Sequence, residues 1–306
     1  MLLDFVTMEL FKGENIISFF DTFKTDFDCL DYLAHKKWDL GYTCKKCGHT
    51  KCTIRKKNLA RDCNNCHHIE SPTAGTLFHK VKFGLRKAFG IVFEMSATTK
   101  SLSANQISKR YEIRYITAWL FAQKVRDAMK SSESQPMTGD VIVDEFVFGG
   151  RENLKQGRST DSKKKKIVAA VEKDDKGGIK RVYFKVIKDY SSSSLRGIFD
   201  AHISKEANVN TDQWTGYKPL AEEYKITQTK SDKGNTFFEM NTIVHQVKAW
   251  LRSTFSNIHE QHIQGYLDEF SYRINRSIHK QTIFDNLISR MIKSNNLYYR
   301  DIVISR

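Results

Sequence analysis

Two Cys-x-x-Cys pairs, Cys44-Lys-Lys-Cys47 and Cys63-Asn-Asn-Cys66, constrain this chain more than any other feature. Fifteen residues lie between them. A Cys-x-x-Cys turn sets two thiolates on one side of a tight knuckle, and two facing knuckles complete the tetrahedral sulfur set that Zn²⁺ prefers. The intervening segment, with Thr53-Ile-Arg55 inside it, has the length of a short hairpin, so the spacing predicts a zinc ribbon. Four protein ligands close such a site, which makes the ion structural, and metal binding then supplies much of the module's folding energy. Two redox pairs or free thiols are the competing readings. Cys29 and Cys52 fall outside the spacing and read as small buried hydrophobes, while His49, His67 and His68 are substitute ligands that nothing requires.

Charge points to the partner. Fifty Lys+Arg against 35 Asp+Glu leave a net +15, which favours a polyanion, with DNA or RNA ahead of an anionic membrane. Lys45, Lys46, Lys51, Arg55, Lys56, Lys57 and Arg61 decorate the ribbon, as phosphate contacts or as a solvated face. The opening Met1-Leu-Leu-Asp-Phe-Val-Thr-Met-Glu9 has neither the basic start nor the apolar run of a signal peptide, and no apolar run reaches bilayer length. Paired cysteines in such a chain fit a reducing compartment, so a cytoplasmic, nucleoid-associated protein without a membrane partner is expected.

Residues 85–130 carry helical periodicity. Within them 103–111 reads as a capped helix, Glu112-Ile-Arg114 as a turn, and 115–129 as a second helix. Ile107, Tyr111, Ile113, Ala118, Trp119 and Val125 have the spacing of two small helices packed across a short turn, a helix-turn-helix or an ordinary helical linker. In the first reading Arg114, Tyr115 and Thr117 meet base edges, with Lys124 and Arg126 near the phosphates. The polar stretch 131–139 is the best boundary. The order expected is 1–70 with the ribbon, 71–132 helical, 133–280 catalytic and 281–306 a helical tail, in a mixed α+β or α/β fold.

After the boundary the pattern becomes β-rich. Asp140-Val-Ile-Val-Asp-Glu-Phe-Val-Phe-Gly-Gly150 is an apolar strand with a carboxylate at its middle, Asp144, which a doubly buried strand tolerates only if paired or metal-bound. Glu145 points to the opposite face. Strands over 166–172 and 181–187, a helix over 192–203 and a short strand over 208–212 follow, and Asp212 ends the last of these. If the first and fourth strands are neighbours, Asp144 and Asp212 converge, and two close carboxylates call for a divalent cation, Mg²⁺ or Mn²⁺. A helix over 240–251 then places Asn241, His245, Lys248 and Arg252 on one stripe, with Ile243, Val244, Val247, Trp250 and Leu251 opposite. The basic run Lys163-Lys-Lys-Lys166 grips flanking DNA or forms a solvated loop.

Together these residues resemble bacterial insertion-sequence transposases of the DDE superfamily, in the branch that joins an N-terminal zinc ribbon to an RNase H-like catalytic domain. Four pieces carry the likeness: the cysteine set, Val143-Asp-Glu-Phe-Val-Phe-Gly-Gly150, Thr211-Asp-Gln-Trp-Thr-Gly-Tyr217 and the 241–248 helix. The segment Tyr266-Leu-Asp-Glu-Phe-Ser-Tyr-Arg-Ile-Asn-Arg276 is similar to that branch's closing helix. The resemblance implies Asp144 and Asp212 as the first two catalytic carboxylates, Asn241 in the third place, often Glu in the superfamily, and Lys248 seven residues on. It also implies two catalytic ions, element-end and target DNA as substrates, and a homo-oligomer on DNA. Glu239 and Glu269 are the fallback carboxylates.

Overall fold

The computed structural model describes residues 11–13, 15–97, 100–149, 164–230, 232 and 236–304. The chain divides into two compact units, one of Met1–Met129 with Ile278–Arg306 and the other of Lys130–Ser277. In the first, helices α1 (Ile16–Thr22) and α2 (Asp26–Lys37) precede three short antiparallel strands, β1 (Cys52–Ile54), β2 (Arg61–Cys63) and β3 (Ile69–Glu70). Helices α3 (Leu85–Ala97), α4 (Ala104–Tyr111) and α5 (Tyr115–Met129) follow. Local chemistry explains the helix starts. Thr25 and Asp28 make a reciprocal capping box on α2, and Ser103 and Gln106 make another on α4, each satisfying amides that the first turn leaves open. Glu112 ends α4 in the left-handed region (φ 52°), which swings the chain into α5. Gly90 lets the two helical layers close, because a Cβ there would stand 2.8 Å from the Tyr111 hydroxyl.

The second unit is a five-stranded mixed sheet with helices on both faces. Its strands are β4 (Asp140–Phe148), β5 (Lys165–Lys173), β6 (Ile179–Ile187), β7 (Asn208–Thr211) and β8 (Lys225–Gln228), in the order β6-β5-β4-β7-β8. The first three pair antiparallel, while β4–β7 and β7–β8 pair parallel, the RNase H-like mixed sheet expected from the sequence. β8 is an addition that the sequence pattern does not signal, since Lys225-Ile-Thr-Gln228 has a single large apolar residue. Helix α6 (Ser192–His202), capped by Ser191, covers one face through Leu195, Ile198 and Phe199. Helices α7 (Phe238–Thr254) and α8 (Ile263–Ile274) cover the other through Met240, Ile243, Val247, Leu267 and Phe270.

α8 also closes a sheet edge. Gln264 accepts from the Val186 amide (2.9 Å) and donates to the Phe184 carbonyl (3.0 Å); the amide that follows the helix, Asn275, does the same to Val182 at 2.7 and 3.0 Å. Eleven residues are about three helical turns, so both amides fall on one side and occupy the hydrogen-bonding edge of β6 as a neighbouring strand would. No helix among the described residues is long and apolar enough to cross a membrane.

The closing segment, α9 (Lys280–Lys293) and α10 (Tyr299–Ile304), belongs to the first unit. Phe284 on α9 is buried among Phe11, Phe19, Phe23, Phe89 and Phe93, with ring centroids 5.5–6.0 Å away. Next to it the buried Asp285 takes an ion pair from Lys36 (2.6 Å) and a hydrogen bond from the Tyr32 hydroxyl. Phe284→Ala is expected to lower the stability of this unit by about 4 kcal/mol, the cost of deleting a buried ring that its surroundings cannot refill. Urea unfolding followed by circular dichroism checks this.

Candidate active site and metal centre

β4 alternates as a sheet strand must. Val141 and Val143 join the core under α6, whereas Ile142 and Phe146 join the core under α7 and α8. Asp144 therefore faces the α7 side and Glu145 the α6 side. Parallel pairing fixes what stands beside Asp144. Ile142 pairs with Asn210 and Val143 with Thr211, so the next positions in register are Asp144 and Asp212. Val209 lies in the α6 core and Thr211 is fully buried, which sends Asn210 and Asp212 to the same face as Asp144. Two carboxylates thus stand on adjacent strands, roughly 4.8 Å apart in backbone spacing, both only half-buried. β7 ends at Thr211, so Asp212 sits one residue past the strand.

The residues after Asp212 hold it in place. Its carboxylate accepts the Trp214 amide at 3.0 Å, a local turn that fixes the side chain. Gln228 on β8 donates to the carbonyls of Asp212 (3.0 Å) and Trp214 (2.9 Å), and the Trp214 indole donates to the Tyr190 carbonyl (2.8 Å). Gly216 must lack a side chain, because a Cβ would lie 2.7 Å from that carbonyl and 2.6 Å from the indole nitrogen. Tyr217 is fully buried and donates its hydroxyl to Glu145 at 2.5 Å. Burial, the charge and hydrogen bond of Glu145, and the charges of Asp144 and Asp212 all push the Tyr217 phenol well above its ordinary range. The motif is a bracket: each of its structured contacts sets the position of a carboxylate.

α7 supplies the remaining candidates. Ile243, Val247, Trp250 and Leu251 are buried on the sheet, Asn241 and Lys248 are half-buried, and His245 and Arg252 are exposed. The Lys248 ammonium lies 5.2 Å from the ring centroid of Phe146, the next residue after Asp144 on that face of β4. Burial, Arg252 and Lys164 lower its pKa, so it gains from any anion brought beside it. A hollow of about 270 Å³, lined by Ile142, Asn210, Thr229, Phe237, Phe238 and Glu239, opens on the same face. Residues 136–275 match the ISXO2-like transposase domain. This part of the chain is an insertion-sequence transposase domain. No curated protein matches the chain.

Within the transposase domain, the carboxylates at 239 and 269 have different surroundings. Glu239 borders the hollow, two residues before Asn241 and so on a different side of α7 from its stripe. Glu269 is fully buried on α8, where its charge opposes the fall that burial imposes on Arg273. Of the basic run, Lys163 lies outside the described residues, Lys165 pairs with Glu260, and Lys166 is buried with its ammonium 3.2 Å from the Lys188 carbonyl. The run is therefore partly consumed by the fold. The glycine at 150 and the end of that strand motif also lie outside the described residues.

In the first unit the four cysteines converge: all four sulfurs lie within 4.8 Å of one another, with Cys44–Cys66 and Cys47–Cys63 at 3.6 Å. Tetrahedral Zn–S bonds of about 2.3 Å set the sulfurs roughly 3.8 Å apart, so the cluster fits zinc. The two knuckles are alike. In each, the residue after the second cysteine bonds back to the first cysteine's carbonyl, Gly48 to Cys44 (2.9 Å) and His67 to Cys63 (3.0 Å), both with positive φ. Against burial, the amides of Cys47 and Lys46 and the neighbouring side chains hold the Cys44 thiol down to about 6, the direction a metal ligand needs.

The surrounding cations divide. Lys45 pairs with buried Glu70 (2.9 Å), Arg55 pairs with Asp62 (2.8 Å) and Arg61 stacks 5.0 Å from the Trp38 ring centroid, whereas Lys46, Lys51, Lys56 and Lys57 are exposed. At the helix pair, Arg114, Tyr115 and Ile116 are exposed on the first turn of α5, as the sequence predicts for Arg114 and Tyr115. Lys124 and Arg126 correct the sequence reading: both are buried and cannot serve as surface phosphate contacts.

Two outcomes follow. Cys63→Ser is expected to remove the bound zinc and unfold the ribbon, read as metal content per chain and loss of ribbon signals in heteronuclear NMR; full zinc retention contradicts the closed four-thiolate site. Tyr217→Phe removes the buried phenol donor from Glu145 and is expected to destabilise the transposase domain by about 2 kcal/mol. Tyr217→Phe combined with Glu145→Leu recovers most of that in the same urea titration.

Proposed function

We propose that the chain is a transposase that cleaves DNA at the ends of an insertion sequence and transfers the strands to a target, using divalent metal. The observation that carries this reading is the β4–β7 register, which sets Asp144 and Asp212 side by side on the sheet face where α7 holds Asn241 and Lys248. Two hard carboxylates and an amide carbonyl are a donor set for Mg²⁺ or Mn²⁺, and their half-buried state leaves access for ions and a phosphodiester. Bound there, two ions supply charge to the attacking and leaving oxygens of an in-line displacement. Asp144, Asp212 and Asn241 would hold the ions. Lys248 binds a phosphate oxygen near the scissile bond, where its half-buried charge is strengthened by exclusion of water. Glu145 stays out of the ion shell, because its side chain is turned to the far face and committed to Tyr217. Glu269 is a poor third ligand, being enclosed with Arg273 on the helix that covers β6, two strands away from β4. In the first step water attacks a backbone phosphorus and a 3′-hydroxyl leaves; in the second that hydroxyl attacks a target phosphorus, so one phosphodiester forms as another breaks.

The ribbon and helix pair select the DNA in this reading. Arg114, Tyr115, Ile116 and Thr117 enter the major groove, and Lys46, Lys51, Lys56 and Lys57 neutralise phosphates. Joining two ends calls for a homo-oligomer on DNA. Purified chain with labelled element ends and Mg²⁺ is expected to nick and join them. Asp144→Ala and Asp212→Ala are each expected to lower both reactions at least a thousandfold while DNA affinity stays within about twofold. Binding without cutting would leave a DNA-binding protein, cutting without joining would leave a nuclease, and loss of binding in the alanine variants would make the two carboxylates structural.

A further inference from the structure

In the first unit, between residues 79–83 and α5, lies a hollow of about 550 Å³ that shares Arg114 and Thr117 with the proposed DNA-reading turn and runs on beyond them to Lys124. Small-molecule sites span about 300–1,000 Å³ and pair apolar walls with a few placed charges. The walls here are Val81, Phe83, Ile113, Leu120 and Phe121, and the cations Lys80, Lys82, Arg114 and Lys124 stand around them against a single carboxylate, Glu112.

Lys124 makes the hollow more than a surface dent. It is 8% exposed, and its ammonium has the Leu77 carbonyl at 3.4 Å and the Asn296 amide oxygen at 3.3 Å, both longer than a good N–H···O bond. Burial lowers its pKa, and no carboxylate among the described residues offsets it. A buried ammonium without an anion costs stability, and folds ordinarily avoid one or pair it. Burial together with Lys80 and Lys124 also pushes the His79 imidazole below its ordinary range, a second sign of positive field on this lining.

We propose that this hollow binds a nucleotide, its phosphate on Lys124 with Lys80, Lys82 and Arg114, its base against Phe83, Leu120 and Phe121. A bare phosphate would answer the cations but leave the apolar walls wet; an apolar ligand would leave Lys124 unanswered. The nucleotide comes either free from solution or turned out of a DNA strand held by the first turn of α5, since Arg114 and Thr117 border the hollow. The site does not depend on the strand-transfer chemistry, and the free-nucleotide arm of the test stands if that chemistry fails.

The full zinc-loaded chain is titrated with deoxyadenosine 5′-monophosphate and with inorganic phosphate by calorimetry, and with a duplex carrying one unpaired 2-aminopurine by fluorescence. A nucleotide signal in either arm is expected, with any mononucleotide binding at least tenfold tighter than phosphate. Lys124→Met is expected to weaken it at least tenfold while the melting temperature holds or rises, because an unpaired buried charge is removed. A 2-aminopurine response lost in Lys124→Met assigns the site to bound DNA, and mononucleotide binding alone assigns it to the free ligand. No signal in either arm, equal affinity for phosphate, or unchanged affinity in Lys124→Met overturns the proposal. If that variant misfolds, Lys80→Glu with Lys82→Glu, both exposed, replaces it; unchanged affinity there overturns the proposal as well.

Discussion

The parallel pairing of β4 with β7 is the contact on which the transposase domain turns. Side chains alternate along a strand, so a slip of one residue would send Asp212 into the α6 core and bring Thr211 to the open face. Such a slip is opposed from several directions. Val209 and Thr211 are buried, so the wrong register would place an aspartate in an apolar layer. β8 continues the parallel ladder, and its Gln228 binds the backbone on both sides of residue 213. The geometry of two carboxylates is thus set by apolar packing and backbone hydrogen bonds rather than by attraction between the acids, which repel.

Negative charge on and beside β4 is handled in two ways. Glu172, opposite the start of β4, is fully buried and answered by Arg181 at 2.6 Å and by the amides of Thr138 and Gly139. Against burial, those partners keep its carboxyl below the usual range, and it anchors the strand's entry. Glu145, beside Asp144, accepts a hydrogen bond from the neutral Tyr217 phenol. An arginine there would carry a positive charge close behind the acidic pair and weaken its hold on cations; a tyrosine donates a proton without adding charge.

Where the information is local, the sequence is readable. The cysteine knuckles, the Ser103 cap, the 115–129 helix, the Asp144 strand and the amphipathic pattern of α7 all rest on spacing within one element, and each element stands where that spacing puts it. What escapes the sequence depends on distant partners. β8 is polar and short, and becomes a strand only by pairing with β7. Tyr217 reads as one more aromatic until the fold brings it to Glu145, 72 positions away. The depth of Lys124 and Arg126 was hidden because α5 is packed almost all round in its C-terminal half, a pattern that α9, 160 or so residues later, helps to create. One signal was available: within α5, Leu120, Phe121 and Ala128 share a face with Lys124, and Ala122 and Met129 share one with Arg126.

The ribbon shows why its metal site and its packing cannot be separated. Cys44 and Cys63 are ligand positions and also members of the small apolar cluster with Ala34, Trp38 and Tyr42. Trp38 lies just past α2 and receives Lys37 and Arg61 near its ring, at 5.1 and 5.0 Å from the centroid. Lys37 in turn pairs with buried Glu70 on β3 at 2.7 Å. Strands this short bury too little apolar surface to hold themselves, so the free energy of the sulfur site must organise the hairpin. Once organised, the hairpin presents two sulfurs and a carboxylate to α2. Without an ion, four thiolates this close would repel, so the thiols stay protonated, nothing ties the two knuckles together, and the cluster that seats Trp38 loses its fixed wall. A metal held there would act on the seating of α2 as well as on the ribbon, and α2 carries Tyr32 and Lys36 to Asp285 of α9.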